Sequence, residues 1–470
     1  MSDAEPPAGD GSTDHDHHDH DHHDHVGPGY ATPQAAIEEA DREKLAYVMG
    51  LYVGTDVDAP DFVAVVDVDP ESDTYQEVID RIEMPNRGDE LHHFGWNACS
   101  SSCHAEGLER SHLIVPGQRS SRIHVIDATD RREPEIETVI EPEEVFEYDL
   151  SAPHTVHCVP GGNIVISMLG DADGELPGGF LELGEDFEIK GRWENDRGEM
   201  EMNYDYWYQP RHNVMISSEW AAPKTYYPGF DLEDVENGDY GRSLHVWDWD
   251  ERSHEATLDL GEEGQIPLEV RFLHSPESTH GYVGAALSSN IFHFYEDGGD
   301  WHAEKAIDFG AREHPDWDMP VPPLVTDILV SMDDRYLYGS NWLHGELWMY
   351  DISDPANPRK ADSISLGGYF GDRQSLGDRD LVAGPQMLQL SLDGQRLYWT
   401  SSLFSSWDNQ FFPEEAEKGS VMLKADVDPR NGTLTLDEDF IVDFADMPAG
   451  PARAHEIRWP GGDCTSDVWQ

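Results

Sequence analysis

Ser391-Leu392-Asp393-Gly394-Gln395-Arg396-Leu397-Tyr398 has a counterpart earlier in the chain, Ser331-Met332-Asp333-Asp334-Arg335-Tyr336-Leu337-Tyr338, and this pair decides the fold. Each segment is the end of one strand, a tight acidic turn, and the start of the next strand. Asp and Gly sit where a turn backbone tolerates them, and apolar and aromatic residues resume beyond it. Pro160-Gly161-Gly162-Asn163-Ile164-Val165 and Pro210-Arg211-His212-Asn213-Val214-Met215 are looser copies. A third strand follows after a polar loop, as in Leu347-Trp348-Met349-Tyr350-Asp351 and Leu244-His245-Val246-Trp247-Asp248. A strand unit of this form, repeated along a chain, is a propeller blade.

Outward from these turns, blades fall near residues 90–141, 152–193, 203–260, 267–309, 323–366 and 384–445. Two fragments remain: outer strands at 44–53, 61–68 and 74–83, and a C-terminal piece, Ala454-His455-Glu456-Ile457-Arg458-Trp459-Pro460-Gly461-Gly462, with the form of an innermost strand. Joined, they complete a seventh blade. The expectation is therefore an all-β, seven-bladed propeller over residues 30–470, with its ring closed by pairing the chain's two ends, which leaves few exposed strand edges. Pro33 to Lys44 predicts a short amphipathic helix. Residues 1–29, with the run Asp14-His15-Asp16-His17-His18-Asp19-His20-Asp21-His22-His23-Asp24-His25, contain almost nothing to bury and predict a disordered acidic tail. Such a tail is either a solvated segment or a loose trap for divalent metals.

The net charge of −66 is spread along the chain; residues 1–25 hold only eight of the acidic side chains. This surface repels nucleic acid and anionic membranes, and its self-repulsion is relieved only by salt. It suits a halophilic protein in a high-salt cytoplasm, and acidity speaks to habitat more than to substrate. The four cysteines, Cys99, Cys103, Cys158 and Cys464, are too few for a disulfide scaffold, so reduced thiols or metal ligands are expected. No apolar run reaches the ~18 residues of a spanning helix, and the N-terminus lacks a secretory pattern, so a soluble cytoplasmic protein is expected.

Chemistry concentrates in Asp89-Glu90-Leu91-His92-His93-Phe94-Gly95-Trp96-Asn97-Ala98-Cys99-Ser100-Ser101-Ser102-Cys103-His104. In the blade register, His92 and His93 stand at the start of an innermost strand, where His154, Asp327 and His455 stand in theirs. His344 falls in a loop that returns to the same face. A single histidine in a propeller strand is ordinarily a hydrogen-bonded core residue, but five converging on one mouth suit copper, iron or zinc. His157, three residues beyond His154, faces the other side and reads as packing. His212, His274 and His280 map to far-side turns, and His245, His254, His293, His302 and His314 to outer strands or loops. Cys158 reads as a small buried hydrophobe and Cys464 as structural. Cys99 and Cys103 share a serine-rich loop, where an accessible thiol could serve as nucleophile or ligand.

Glu90–Ser101, Trp207-Tyr208-Gln209-Pro210-Arg211-His212-Asn213-Val214-Met215-Ile216-Ser217, Ser340-Asn341-Trp342-Leu343-His344-Gly345 and Pro460-Gly461-Gly462-Asp463-Cys464 closely resemble the selenium-binding protein family, whose characterised members act as methanethiol oxidases. The likeness runs from about Gly27 to Gln470. It implies a seven-bladed propeller, in agreement with the blade count, and a copper-dependent oxidase that takes a small volatile thiol and O2. Methanethiol, oxygen and water would become formaldehyde, hydrogen sulfide and hydrogen peroxide. The family's selenium-reactive cysteine matches Cys99, whereas its Cys-Ser-Ser-Cys spacing is lengthened here by one serine before Cys103. Copper would be held by some of His92, His93, His154, His344 and His455, with a nearby imidazole or a carboxylate such as Asp327 as a general base toward the methyl carbon. A selenium or copper carrier without turnover is the alternative. A lactonase-like hydrolase with a hard metal would call for more oxygen ligands at the strand starts than are present.

Overall fold

The computed structural model describes residues 27–102, 105–315, 317, 320–371 and 373–469. The tail expected at 1–29 lies outside them for residues 1–26, as does Cys103. Seven four-stranded antiparallel sheets form the ring, and a small two-stranded hairpin, Ser375–Leu376 with Arg379–Asp380, lies between two of them. Each predicted blade is one sheet. The closing sheet joins Val78–Glu83, Phe62–Asp67, Leu45–Leu51 and the C-terminal strand Arg453–Arg458, as expected from the two leftover fragments. The helix predicted over 33–44 spans Pro33–Glu39: Thr32 caps it by accepting from the Ala35 amide, and Ala40 leaves the helix in an extended conformation.

Position within a blade explains the sequence pattern of its strands. Phe62–Asp67 and Ile164–Gly170 are buried along their whole length because neighbouring blades cover both faces, so they read as continuous apolar runs. Outermost strands such as Ser253–Asp259 alternate between covered and exposed positions. Second and third strands approach closely where a glycine faces an aromatic ring. Gly281 pairs with Phe294 and Gly339 with Trp348, and a Cβ at either glycine would come within 2.2 Å of the ring opposite. No other residue fits there without displacing the ring.

Two long loops between second and third strands, 219–242 and 400–420, carry short helices (Pro223–Tyr226, Leu232–Asn237, Ser405–Phe411 and Glu415–Lys418) over the face where the innermost strands begin. They pack on each other through aromatic rings: Tyr227 stacks on Phe404 at 5.9 Å, Trp220 meets Trp407 at 5.8 Å, and the Trp407 indole donates to the Tyr226 carbonyl at 3.2 Å. The mouth expected from sequence is thus a covered chamber. Among the described residues no helix is long and apolar enough to cross a membrane.

A chain ending at Ala452 would leave the closing blade without its innermost strand and Leu45–Leu51 with a bare edge. The expected outcome is loss of the cooperative thermal transition and of near-UV circular dichroism in molar salt; a cooperative transition in that truncated protein would show that closure is dispensable.

Candidate metal centre

The inner ends of four blades share a backbone device. Glu90, Ala152, Ile266 and Leu324 have φ of 53°, 54°, 57° and 56°, in the left-handed region that costs a non-glycine residue about 1–2 kcal/mol. Just beyond three of them the strand register shifts, between Pro153 and Val156, Pro267 and Val270, and Val325 and Asp327. Bulges of this kind re-aim side chains, and here they turn His154, Glu269 and Asp327 toward the channel. His92 and His93 precede the two-residue strand Gly95–Trp96 rather than starting a long one. Their segment is tied down by its own acids: Glu90 accepts from the Ser405 amide at 2.6 Å and pairs with Arg119 at 2.7 Å, while Asp89 pairs with Arg122 at 3.0 Å.

His92, His93 and His154 come together so that one ring nitrogen of each lies within 4.8 Å of the others. His455 joins them, its ring stacked on His92 at 4.0 Å. All four are buried. In three of them the outer nitrogen is engaged. His455 Nδ1 donates to the Ser402 carbonyl at 2.7 Å. His154 Nδ1 lies 3.0 Å from Thr155 Oγ1, whose hydroxyl proton goes to Asp205 at 2.7 Å, so the imidazole is the donor in that contact. His93 Nδ1 is 3.3 Å from Glu456 Oε1. These contacts leave the Nε2 lone pairs of His93, His154 and His455 free, and those nitrogens, with both of His92, are buried without a hydrogen-bond partner. Burial, then the neighbouring imidazoles, hold His92 and His154 well below the ordinary histidine range, and burial sets His93 well below it and His455 at about 4. Four buried neutral imidazoles with unpartnered lone pairs have the donor chemistry that suits a borderline metal ion such as copper.

Behind the imidazoles lies a buried charge network that sequence reasoning missed. Arg271 pairs with Asp205 and Glu269 at 2.7 Å each and stands 3.6 Å from Asp327; Arg458 pairs with Glu456 at 2.6 Å and Asp463 at 3.1 Å. Glu269 has its second oxygen 3.5 Å from His93 Nε2, and burial pushes its carboxyl well up. The signal was present: Glu269 is the third residue of Pro267–Phe272, as Asp327 is of Val325–Val330 and His455 of Arg453–Arg458.

Two sequence-predicted residues are not brought to the cluster. His344 is half-buried against Phe370 at 5.2 Å, with Nε2 3.1 Å from the Val321 carbonyl, because its turn is bound to the following segment, the Leu366 amide to the Gly345 carbonyl and the Tyr369 amide to the Leu343 carbonyl. Asp327 lines the channel but accepts from the Leu388 amide at 2.7 Å and faces Arg271; burial raises it to about 7. The carboxyls near the imidazoles are Glu269 and Glu456. The cysteines also differ from expectation. Cys99 and Cys158 form a disulfide, so Cys158 is no plain hydrophobe and Cys99 in this state has no thiolate. The pair sits four residues along the strand from His154, about 13 Å away at ordinary strand rise. Cys464 is a buried free thiol. His157 packs among Tyr206, Trp207 and Tyr208, as expected. His245 and His293, expected at the surface, are buried and paired with His254 at 3.0 Å and His280 at 2.9 Å.

A profile of the 56kDa selenium binding protein family (SBP56) matches residues 24–470. The chain belongs to that family. A methanethiol oxidase of Xenopus laevis is 51% identical over 94% of this chain and 98% of its own length, and one of Homo sapiens is 50% identical with the same coverage. Selenium-binding protein 2 of Arabidopsis thaliana is 49% identical over 94% of this chain and 95% of its own. The crystal structure of a hypothetical selenium-binding protein from Sulfolobus tokodaii superimposes with a TM-score of 0.88 at 44% identity, covering 94% of this chain and 98% of that one. A periplasmic gluconolactonase of Pseudomonas aeruginosa, 11% identical with a TM-score of 0.55, covers 88% of this chain and 98% of its own and shares the fold alone.

Two outcomes are expected. His92→Ala or His154→Ala should abolish stoichiometric copper binding outside the tail, and Glu456→Gln should weaken it about 10- to 100-fold, whereas His344→Ala should leave it unchanged; equilibrium dialysis of protein lacking residues 1–26 checks all four. Because the folded imidazoles take up protons only far below the free value of about 6.5, proton competition is absent above it and sets in late. Copper affinity should therefore stay flat from pH 8 to about 5 and fall only as the pH approaches 4, which a pH series of the same dialysis measures.

Proposed function

We propose that this protein is a copper-dependent methanethiol oxidase: CH3SH, O2 and H2O give HCHO, H2S and H2O2. The carbon loses two electrons and oxygen gains two. The observation that carries the reading is the cluster of partnerless imidazole nitrogens at His92, His93, His154 and His455, in a chain about half identical to curated methanethiol oxidases. Copper bound there supplies a Lewis acid that lowers a thiol's pKa and a redox partner for oxygen.

The chain's own groups do the rest. The two loops over the chamber exclude bulk water and hold Phe404 6.0 Å from the His92 ring, which keeps reactive intermediates from solvent. Glu269, with Oε2 engaged by Arg271, keeps Oε1 available to hold and return a proton beside His93, and takes the general-base role that the family resemblance suggested for Asp327. Tyr204, its ring 4.0 Å from His154 and its hydroxyl kept protonated by burial, walls the other side. The protein works, in this reading, in a high-salt cytoplasm.

The second reading is a selenium or copper carrier. The Cys99–Cys158 bond bears on its selenium half, since the disulfide must be reduced before Cys99 can bind selenium. An oxygen electrode with copper-reconstituted full-length protein and methanethiol in molar salt separates the two. Oxygen uptake over many turnovers, with formaldehyde and peroxide formed one for one, is expected; copper bound in stoichiometric amount without oxygen uptake would establish the carrier.

A further inference from the structure

The imidazole chamber is closed, yet a volatile thiol must reach it. Beside it, under the two covering loops, lies a cavity of about 400 Å3 lined among others by Phe230, Leu287, Leu324, Leu343, Trp407 and Phe411. In a chain of net charge −66 this lining is almost wholly apolar, with Glu262, Gln265 and Ser288 as its polar members. Leu232, 41% exposed and one of two exposed large hydrophobic side chains among the described residues, also belongs to it.

Leu324 and Trp407 form its inner wall and are shared with a second, water-sized cavity of about 10 Å3 that also touches Tyr204, Trp220 and Leu403. From there the rings run inward: Trp407 lies 5.8 Å from Trp220, Trp220 5.4 Å from Tyr204, and Tyr204 4.0 Å from His154.

We propose that the larger cavity is a binding vestibule for small uncharged alkyl thiols, and that they pass between Leu324 and Trp407 to the imidazoles. The assignment rests on the oxidase reading for its substrate class but not for its test. A methyl or ethyl thiol is neutral near neutral pH, and its transfer from water into apolar surroundings is favourable. Hydrated ions and polar metabolites would lose hydration there without replacement, so the vestibule also acts as a filter. The second cavity holds only a water-sized molecule, so Leu324 and Trp407 must give slightly as each thiol passes.

The test uses metal-free protein, in which no thiol can bind through copper. Ligand-observed 19F NMR of 2,2,2-trifluoroethanethiol should show a broadened line with the wild-type chain, and a line at least several-fold narrower with Leu287→Trp and with Val235→Trp. Both side chains line the outer cavity and are only partly buried, so either can be enlarged without opening the core. Equal broadening in folded wild-type and both variants, with folding judged by unchanged Tm, would overturn the vestibule. With copper restored, kcat/KM for methanethiol should fall several-fold in the variants at equal copper content. If wild-type protein shows 19F binding but no oxygen uptake, the oxidase reading fails while the vestibule stands; oxygen uptake equal in all three proteins would overturn the vestibule alone.

Discussion

The pairing of Arg453–Arg458 with Leu45–Leu51 is the contact on which the rest depends. It closes the ring, and it delivers to the channel a run of side chains that no other part of the chain can supply: His455 to the imidazole cluster, Glu456 to His93, and Arg458 to Glu456 and Asp463. Closure and site assembly are therefore one event. A propeller with an open seam would keep the three imidazoles that two other blades supply and lack the fourth, and it would leave the carboxyl at Glu456 unable to orient His93.

The second constraint is dielectric. Arg271 and Arg458, each almost fully covered, sit behind the imidazoles and neutralise the buried acids around them. Breaking such pairs costs several kcal/mol because the remaining charge is stranded. Placed where they are, the two cations also discourage protonation of His93, so the network that satisfies the acids helps keep that imidazole neutral. The strained residues at Glu90, Ala152, Ile266 and Leu324 belong to the same arrangement: the chain accepts unfavourable φ to point polar groups into a channel that would otherwise be lined by strand backbone. The loops at 219–242 and 400–420 complete it by replacing water with aromatic rings.

The fold was legible because propeller strands advertise themselves twice, through turns of fixed form and through runs whose polarity depends on distance from the axis. Every blade boundary drawn from the Asp-Gly and Pro-Gly turns corresponds to a sheet. The site was legible only in part. His92, His93, His154 and His455 could be placed because each lies within a few residues of an innermost strand's start. His344 could not, since a loop residue has no register and its direction is set by what the loop packs on. Asp327 was placed on the right strand, but whether its carboxylate meets an imidazole or an arginine depends on Arg271, which arrives from the neighbouring blade.

What the sequence determined by itself was periodic and local: seven blades, closure by the two ends, the helix beginning at Pro33, and four histidines at one face. These follow from hydrophobic period and turn chemistry, which act over a few residues. What only the tertiary structure decided was pairwise and distant. Cys99 finds Cys158 across 59 residues, Glu269 finds His93 from another blade, and two loops meet over the cluster to make a chamber of what reads as an open mouth. Each depends on how neighbouring blades are rotated about the axis and on side-chain packing between them, and no property of a single strand encodes that.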